Sequence, residues 1–312
     1  FLRIYMTAER PDISKYPSWN KRQYVLDSIA WVTDPLYGWC NKNFKKDGTP
    51  YNLNADGLKV YTTIDSRMQR YAEEAVYGHV ARFLQPEFTK ENRRKSNAPF
   101  TSQLTKKQVN QIMERAVLQS ERYRVMKANG ASDEEIHRAF HTPTDMSVFT
   151  YHGDLDTTMT PIDSIRYVKS FLRAGFMSMD PKTGAVKAYV GGLDYRHFMY
   201  DMVTGGRRPV GSTIKPFLYS LAMENGFSPC DLAPNVQRTY MVAGQPWTPR
   251  NASHKRAGEM VTLKWGLAQS SNWVSAYLMS KLNPQQFVQL LHDYGINNPD
   301  IHPSMSLCLG PC

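Results

Sequence analysis

Residues 207–219 read Arg207-Arg208-Pro209-Val210-Gly211-Ser212-Thr213-Ile214-Lys215-Pro216-Phe217-Leu218-Tyr219, and the rest of the chain is read outward from this stretch. A serine and a lysine three apart share one face of a helix, so Lys215 can bring its amine to the Ser212 hydroxyl. A serine is a weak nucleophile until a neighbouring base takes its proton, and a lysine does this only when neutral. Moving a lysine from its ordinary pKa to 7 costs about 3.4 units, or roughly 4.6 kcal/mol, so the site must be desolvated or tightly hydrogen-bonded. The run Phe217, Leu218, Leu221, Ala222 and Met223, closed by Asn225-Gly226, predicts an apolar helix over 212–226. Pro216 inside it is expected to leave the Ser212 carbonyl without a helical partner and to disfavour a helical Lys215. Local rules broken beside a nucleophile mark working sites more often than plain scaffold.

The spacing is not specific by itself, because Ser18-Trp-Asn-Lys21 repeats it in an irregular stretch after Tyr16-Pro17. A second element lies downstream at Leu267-Ala-Gln-Ser270-Ser271-Asn272. A hydroxyl and an amide two residues apart turn toward one cleft if the helix expected over 262–281 is broken there; otherwise they form an ordinary turn or cap. A further helix is expected over 284–294. Upstream, the strand-like runs Phe176–Met179 and Ala185–Val190 flank Asp180-Pro-Lys-Thr-Gly184, a hairpin turn. Asp163 reads as the cap of a helix carrying Ile165, Val168, Phe171 and Leu172.

With 312 residues, 41% of them hydrophobic, the chain can bury more than one core and is not mainly disordered. No apolar run approaches the roughly eighteen residues that a spanning helix needs. The balance of 38 basic over 28 acidic residues gives a net charge of +10. That charge favours anionic surroundings, but no finger spacing, basic helix or aromatic-studded strand pair accompanies it, so no nucleic-acid partner is expected. Cys40, Cys230, Cys308 and Cys312 are too few for a disulfide scaffold. Although Cys308 and Cys312 are four apart, no His or further Cys nearby completes a zinc set, and all four cysteines are read as structural or free. Residues 1–55 show little periodicity. Gly57–Ile64 reads as a strand, Asp65 as a helix cap, and Met68 to Leu84 as an amphipathic helix ending near Pro86, with His79 on its apolar stripe as a core histidine. In the charged stretch that follows, Val109, Ile112, Met113, Ala116 and Val117 make one helical face, and Ser132 with Glu135 forms a capping box.

The run Arg207–Tyr219 resembles the active-serine segment of penicillin-binding proteins, and more narrowly the transpeptidase domain of their class A, bifunctional members. Other segments agree in order: Gly57–Asp65, Met179–Gly184 with Ala188–Gly192, Trp247-Thr-Pro-Arg-Asn251, Val261–Lys264, Ser270-Ser-Asn272 and Ser306-Leu-Cys-Leu-Gly310. The resemblance implies an α/β (α+β) penicillin-binding, serine β-lactamase-like fold: an antiparallel sheet flanked by helices, with an N-terminal linker lobe. The implied layout is a linker over 1–86 following a glycosyltransferase domain, a charged helical insertion over 87–158, and the penicillin-binding domain over 159–312. Ser212 would attack the carbonyl of a D-alanyl-D-alanine stem peptide and Lys215 would be its base. Ser270 would relay a proton to the leaving amine, and Asn272 would orient Lys215 and the substrate amide. Peptidoglycan stem peptides and β-lactams are the implied partners, and the resemblance implies no metal or organic cofactor. The implied location is the inner membrane, through an N-terminal anchor, with the catalytic domain in the periplasm or outer wall space.

The family also uses a Lys-Thr/Ser-Gly on a late strand, after Ser-x-Asn. The Lys182-Thr-Gly184 of this chain precedes Ser212 and sits in the hairpin turn, so it is read as a decoy. The working counterpart is expected beyond Cys312, together with three of the sheet's five strands. The sheet is therefore expected to be incomplete, and this stretch by itself inactive or impaired. A class A β-lactamase is the nearest rival reading, but it needs a carboxylate after Ser-x-Asn, and no glutamate follows Glu259. A D,D-carboxypeptidase, or a non-catalytic penicillin sensor on the same scaffold, would carry the same motifs.

Overall fold

The computed structural model describes residues 2–16, 21–206, 208–296, 298 and 300–311. Ser18 of the second Ser-x-x-Lys match lies outside the described residues, as does Cys312. The chain divides into two compact units, Phe1–Gly206 and Arg207–Cys312.

The first unit opens with helices α1 (Leu2–Met6), α2 (Lys21–Thr33) and α3 (Trp39–Lys42) where little periodicity is legible. No residue of α2 is buried, which is why no apolar stripe announces it. Helix α4 (Ser66–His79) begins where Asp65 accepts hydrogen bonds from the Arg67 and Met68 amides. It does not stop at Pro86. A π-helical turn, Val80–Leu84, widens the ladder, and α5 (Gln85–Asn92) continues with Pro86 as its second residue. His79 is not a core histidine: it is exposed, its ring 5.4 Å from Phe83. Helices α6 (Lys106–Leu118), α7 (Glu121–Ala128) and α8 (Asp133–His141) follow. Val109 and Met113 are the buried residues of α6, and the Ser132–Glu135 capping box opens α8 as expected.

Strands β1 (Thr144–Val148) and β2 (Leu155–Met159) form a hairpin that the sequence reading does not include, turning at Thr150–Gly153. Helix α9 (Pro161–Lys169) is capped by Thr160, not Asp163; Asp163 sits in the first turn and accepts the Thr160 hydroxyl at 2.5 Å. Strands β3 (Phe176–Met179) and β4 (Val186–Val190) pair antiparallel around the 180–184 turn, as expected. Residues 57–64 are not a strand. The free edge of β4 is met by one backbone bond, Asp65 N–H to Lys187 O (2.9 Å), by the Thr63 hydroxyl on Val186 O (2.7 Å), and by the Gln69 amide, which both donates to and accepts from Tyr189. Side chains take the ladder positions that a strand would have filled. Among the described residues β3–β4 remains a two-stranded sheet.

The second unit starts with a 3₁₀ turn, Gly211–Ile214, that runs into α10 (Lys215–Glu224). Short pairs follow: β5 (Leu232–Pro234) with β8 (Met260–Thr262), and β6 (Tyr240–Val242) with β7 (Gln245–Trp247). Helices α11 (Leu263–Ala268), α12 (Asn272–Met279) and α13 (Pro284–Asp293) and a 3₁₀ turn, Met305–Leu309, complete it. Leu218, Ala222, Val274, Leu278, Met279, Phe287, Leu291 and Cys308 are fully buried in one core. Helix α10 thus lies on a rigid base, and its first turn holds Lys215.

Candidate active site

Lys215 is 1% exposed, which is exceptional for a lysine, and it tops α10 immediately after the Ser212 turn. Pro216 does not displace it. Lys215 has helical angles (φ −61°, ψ −40°), and its N–H satisfies the Ser212 carbonyl through a 3₁₀ bond, so Pro216 orphans nothing. The 3₁₀ turn is the solution that the proline rule alone does not reveal.

The Lys215 amine donates to Ser270 O (2.6 Å), Ser270 Oγ (3.0 Å) and Asn272 Oδ1 (2.7 Å). An ammonium has three donors, and all three are engaged. The expected hydrogen bond to Ser212 is therefore not formed; the Ser212 hydroxyl is exposed and has no hydrogen bond to the described residues. Loss of one proton from the amine removes one donor and creates the lone pair that a serine O–H needs as acceptor. Burial pushes the Lys215 amine down from its ordinary value to about 8, against the opposing influence of the Cys308 thiol. Burial holds that thiol high, at about 12.

The helix expected over 262–281 is broken between α11 and α12, as the Ser-x-Asn reading requires. Ser270 makes the break with φ +51°, a left-handed conformation costing a non-glycine residue about 1–3 kcal/mol. This kink turns both the carbonyl and the hydroxyl of Ser270 onto Lys215. Asn251, to which sequence spacing assigns no role, fixes the start of α12. Its Oδ1 accepts the Asn272 and Trp273 amides (2.7 and 3.2 Å), and its Nδ2 donates to Ser271 Oγ (3.3 Å). Asn272 donates its Nδ2 to Arg250 O (2.7 Å), so its Oδ1 is the end that faces the amine. Ser271 in turn donates to the buried Asn235 (3.0 Å). Asn251 and Asn235 carry no spacing signal, because their partners are set by tertiary structure.

Ser212, Ser270 and Asn272 line one cavity of about 170 Å³ with Asn251, Lys255 and Trp265. A larger cavity, about 1080 Å³, lies in the first unit among tyrosines such as Tyr5, Tyr16 and Tyr195 and contains no serine–lysine pair. Chemistry rather than size selects the smaller one. Cys40, Cys230 and Cys308 are free thiols, and among the described residues no group of His, Cys, Asp or Glu is placed to hold a metal ion.

Residues 95–172 match the family model for the penicillin-binding protein middle domain, and residues 174–303 match the penicillin-binding protein transpeptidase domain. Both models are of penicillin-binding protein domains, and the chain belongs to that family; the relatives it is similar to are class A members. It is similar to penicillin-binding protein 1A of Neisseria flavescens, with 34% identity over 142 residues, 45% of this chain and 18% of that protein. Penicillin-binding protein 1A of Escherichia coli K12 is 34% identical over 141 residues, 45% of this chain and 16% of that protein. The chain therefore spans less than a fifth of these relatives in the matched region. The crystal structure of penicillin-binding protein 1A from Haemophilus influenzae shares the fold, with a TM-score of 0.53 at 17% identity over 95% of this chain and 44% of that one. The middle-domain match covers much of the stretch read above as an insertion.

Proposed function

We propose that the protein is a serine D,D-transpeptidase that cross-links peptidoglycan stem peptides through an acyl-enzyme on Ser212. The observation that carries this reading is a fully buried lysine amine, one helical turn from an exposed serine, held by the hydroxyl and amide of a Ser-x-Asn element in the same cleft. Neutral Lys215 takes the Ser212 proton as Oγ attacks the penultimate D-alanine carbonyl. Ser270 Oγ, already bonded to the Lys215 amine, passes a proton to the terminal D-alanine nitrogen as the C–N bond breaks. Asn272 holds Lys215 on one side and presents its amide to the substrate. An amine from a second stem peptide then attacks the ester, and the Ser212 oxygen leaves with its proton restored. A β-lactam enters the first half of this sequence and stops there. We further propose that the protein acts within a membrane-anchored, bifunctional wall synthase whose catalytic domain faces the periplasm or outer wall space. In that layout residues 1–86 serve as the linker.

Incubating the full-length protein with penicillin is expected to give a persistent mass increase of one adduct, carried by the tryptic peptide containing Ser212. Rapid loss of the adduct would mark a hydrolase, and an adduct on another residue would refute Ser212 as the nucleophile. The acylation rate is expected to rise with pH and level off above about 8, because the reactive form is the neutral amine and Lys215 titrates near that value. At pH 7 the rate is expected to be about a tenth of the plateau. A rate independent of pH between 6 and 9 would remove Lys215 as the base.

A further inference from the structure

Ser212 has no side-chain bond to the described residues, and the Lys215 amine is tied to Ser270 and Asn272. The gap between the two reacting atoms is thus set by the backbone of the Gly211–Ile214 turn. Most of that turn's bonds are local: Lys215 N–H to Ser212 O, and both the amide and the hydroxyl of Thr213 to Val210 O. Among the described residues, the backbone bond tying it to a distant segment runs from Gly211 N–H to Gly310 O, 3.0 Å. Gly310 ends the Met305–Leu309 turn with φ +66°, and its N–H returns to Leu307 O at 3.0 Å. A Cβ at 310 would lie 2.3 Å from Gly211 O and 2.6 Å from Gly211 N. Backbone cannot yield as a flexible side chain does. The opposite wall is just as fixed, because Leu307 and Cys308, 2% and 0% exposed, are locked into the core that holds Ile214 and Leu218.

We propose that Gly310 is a positioning residue for Ser212: its backbone, bare of a side chain and anchored through Leu307 and Cys308, clamps Gly211 and holds the serine turn at its working distance from Lys215. The proposal rests on Ser212 being the nucleophile. It assigns Gly310 no contact with substrate; the residue acts through Gly211.

The test compares Gly310→Ala with Gly226→Ala in the full-length protein. Gly226, at the end of α10, has the same left-handed requirement (φ +87°) but nothing within 4 Å of an added Cβ, so it carries the strain without the clash. Gly310→Ala is expected to acylate with penicillin about 10²-fold more slowly than Gly226→Ala, the cost of misplacing a reacting atom by about 1 Å. The pH midpoint of its residual rate stays where it is, because the Lys215 bonds are untouched. Equal rates in the two variants, or a rate loss accompanied by a moved midpoint, would overturn the clamp. If Gly310→Ala does not fold, Leu307→Val loosens the anchor without adding an atom. A several-fold loss of rate at an unchanged midpoint supports the clamp, and an unchanged rate sinks it. Should the wild-type protein not acylate at Ser212, the functional reading fails separately. The clamp is then judged by exchange of the Gly211 amide hydrogen: slow in wild type and fast in Leu307→Val supports it, and fast in both overturns it.

Discussion

Lys215→Met is expected to slow acylation of Ser212 by about 10²–10⁴-fold, the contribution of a positioned general base, while leaving the protein about as stable as before. The stability half of this prediction separates chemistry from folding. Holding Lys215 at about 8 rather than 10.5 means that the fold disfavours its charge, by on the order of 3 kcal/mol at neutral pH. Methionine fills similar space and carries no such penalty. Against this, Ser270 O, Ser270 Oγ and Asn272 Oδ1 lose their donor, at about 0.5–1.5 kcal/mol each where water does not replace it. The two sides nearly cancel. The folded pKa lies below the unfolded one, so the wild-type penalty is full below about 8 and gone by 10.5; across that window wild type gains stability relative to the variant as pH rises. Urea midpoints for both proteins at pH 7 and pH 10, beside penicillin acylation rates, measure both halves. A variant that retains its rate would show that another group takes the serine proton.

The features legible in the sequence are those whose physics is local. The Ser132–Glu135 capping box, the 180–184 hairpin turn and the apolar face of α6 each depend on residues within a few positions of one another, and each is found where its pattern lies. The Ser-x-Asn pattern requires a break before Asn272, and the break is there because Ser270 tolerates a left-handed angle that the structure uses to aim its carbonyl. The failures share a cause. Pro86 and Pro216 are helix breakers only in a uniform α-ladder; a π turn before the first and a 3₁₀ turn before the second remove the conflict. Residues 57–64 have strand composition, but the β4 edge is taken by the Thr63 hydroxyl of that segment and by the Gln69 amide beyond it instead of by a backbone ladder. His79 follows the same logic: an apolar stripe says which residues share a face, not whether anything covers it. Ser-x-x-Lys spacing brings Lys215 to the right turn, yet the partners of its amine lie 55 and 57 residues onward, where no spacing rule reaches.

Asn251 is the residue where that distant placement is most exposed to test. Asn251→Ala removes the acceptor for the Asn272 and Trp273 amides and the donor to Ser271, in a region where Trp273 and Ser271 are buried. At about 1–3 kcal/mol for a buried group left unpaired, a loss of roughly 2–4 kcal/mol in unfolding free energy is expected, with acylation falling as Asn272 loses its orientation. Asn251→Asp divides these effects. A carboxylate accepts the same two amides and suits the N-terminus of α12, so most of the stability returns. It cannot donate to Ser271 Oγ, whose own proton is committed to Asn235 Oδ1. More telling, it sets a negative charge behind Asn272, whose Oδ1 touches the Lys215 amine at 2.7 Å. An anion there favours the charged lysine and raises its pKa above about 8, so the acylation midpoint moves to higher pH. The variant is slow at pH 7 and approaches the wild-type rate near pH 10. A midpoint that stays in place would mean that the Asn251–Asn272–Lys215 chain does not couple electrostatically, and that the cleft tunes its base by burial alone.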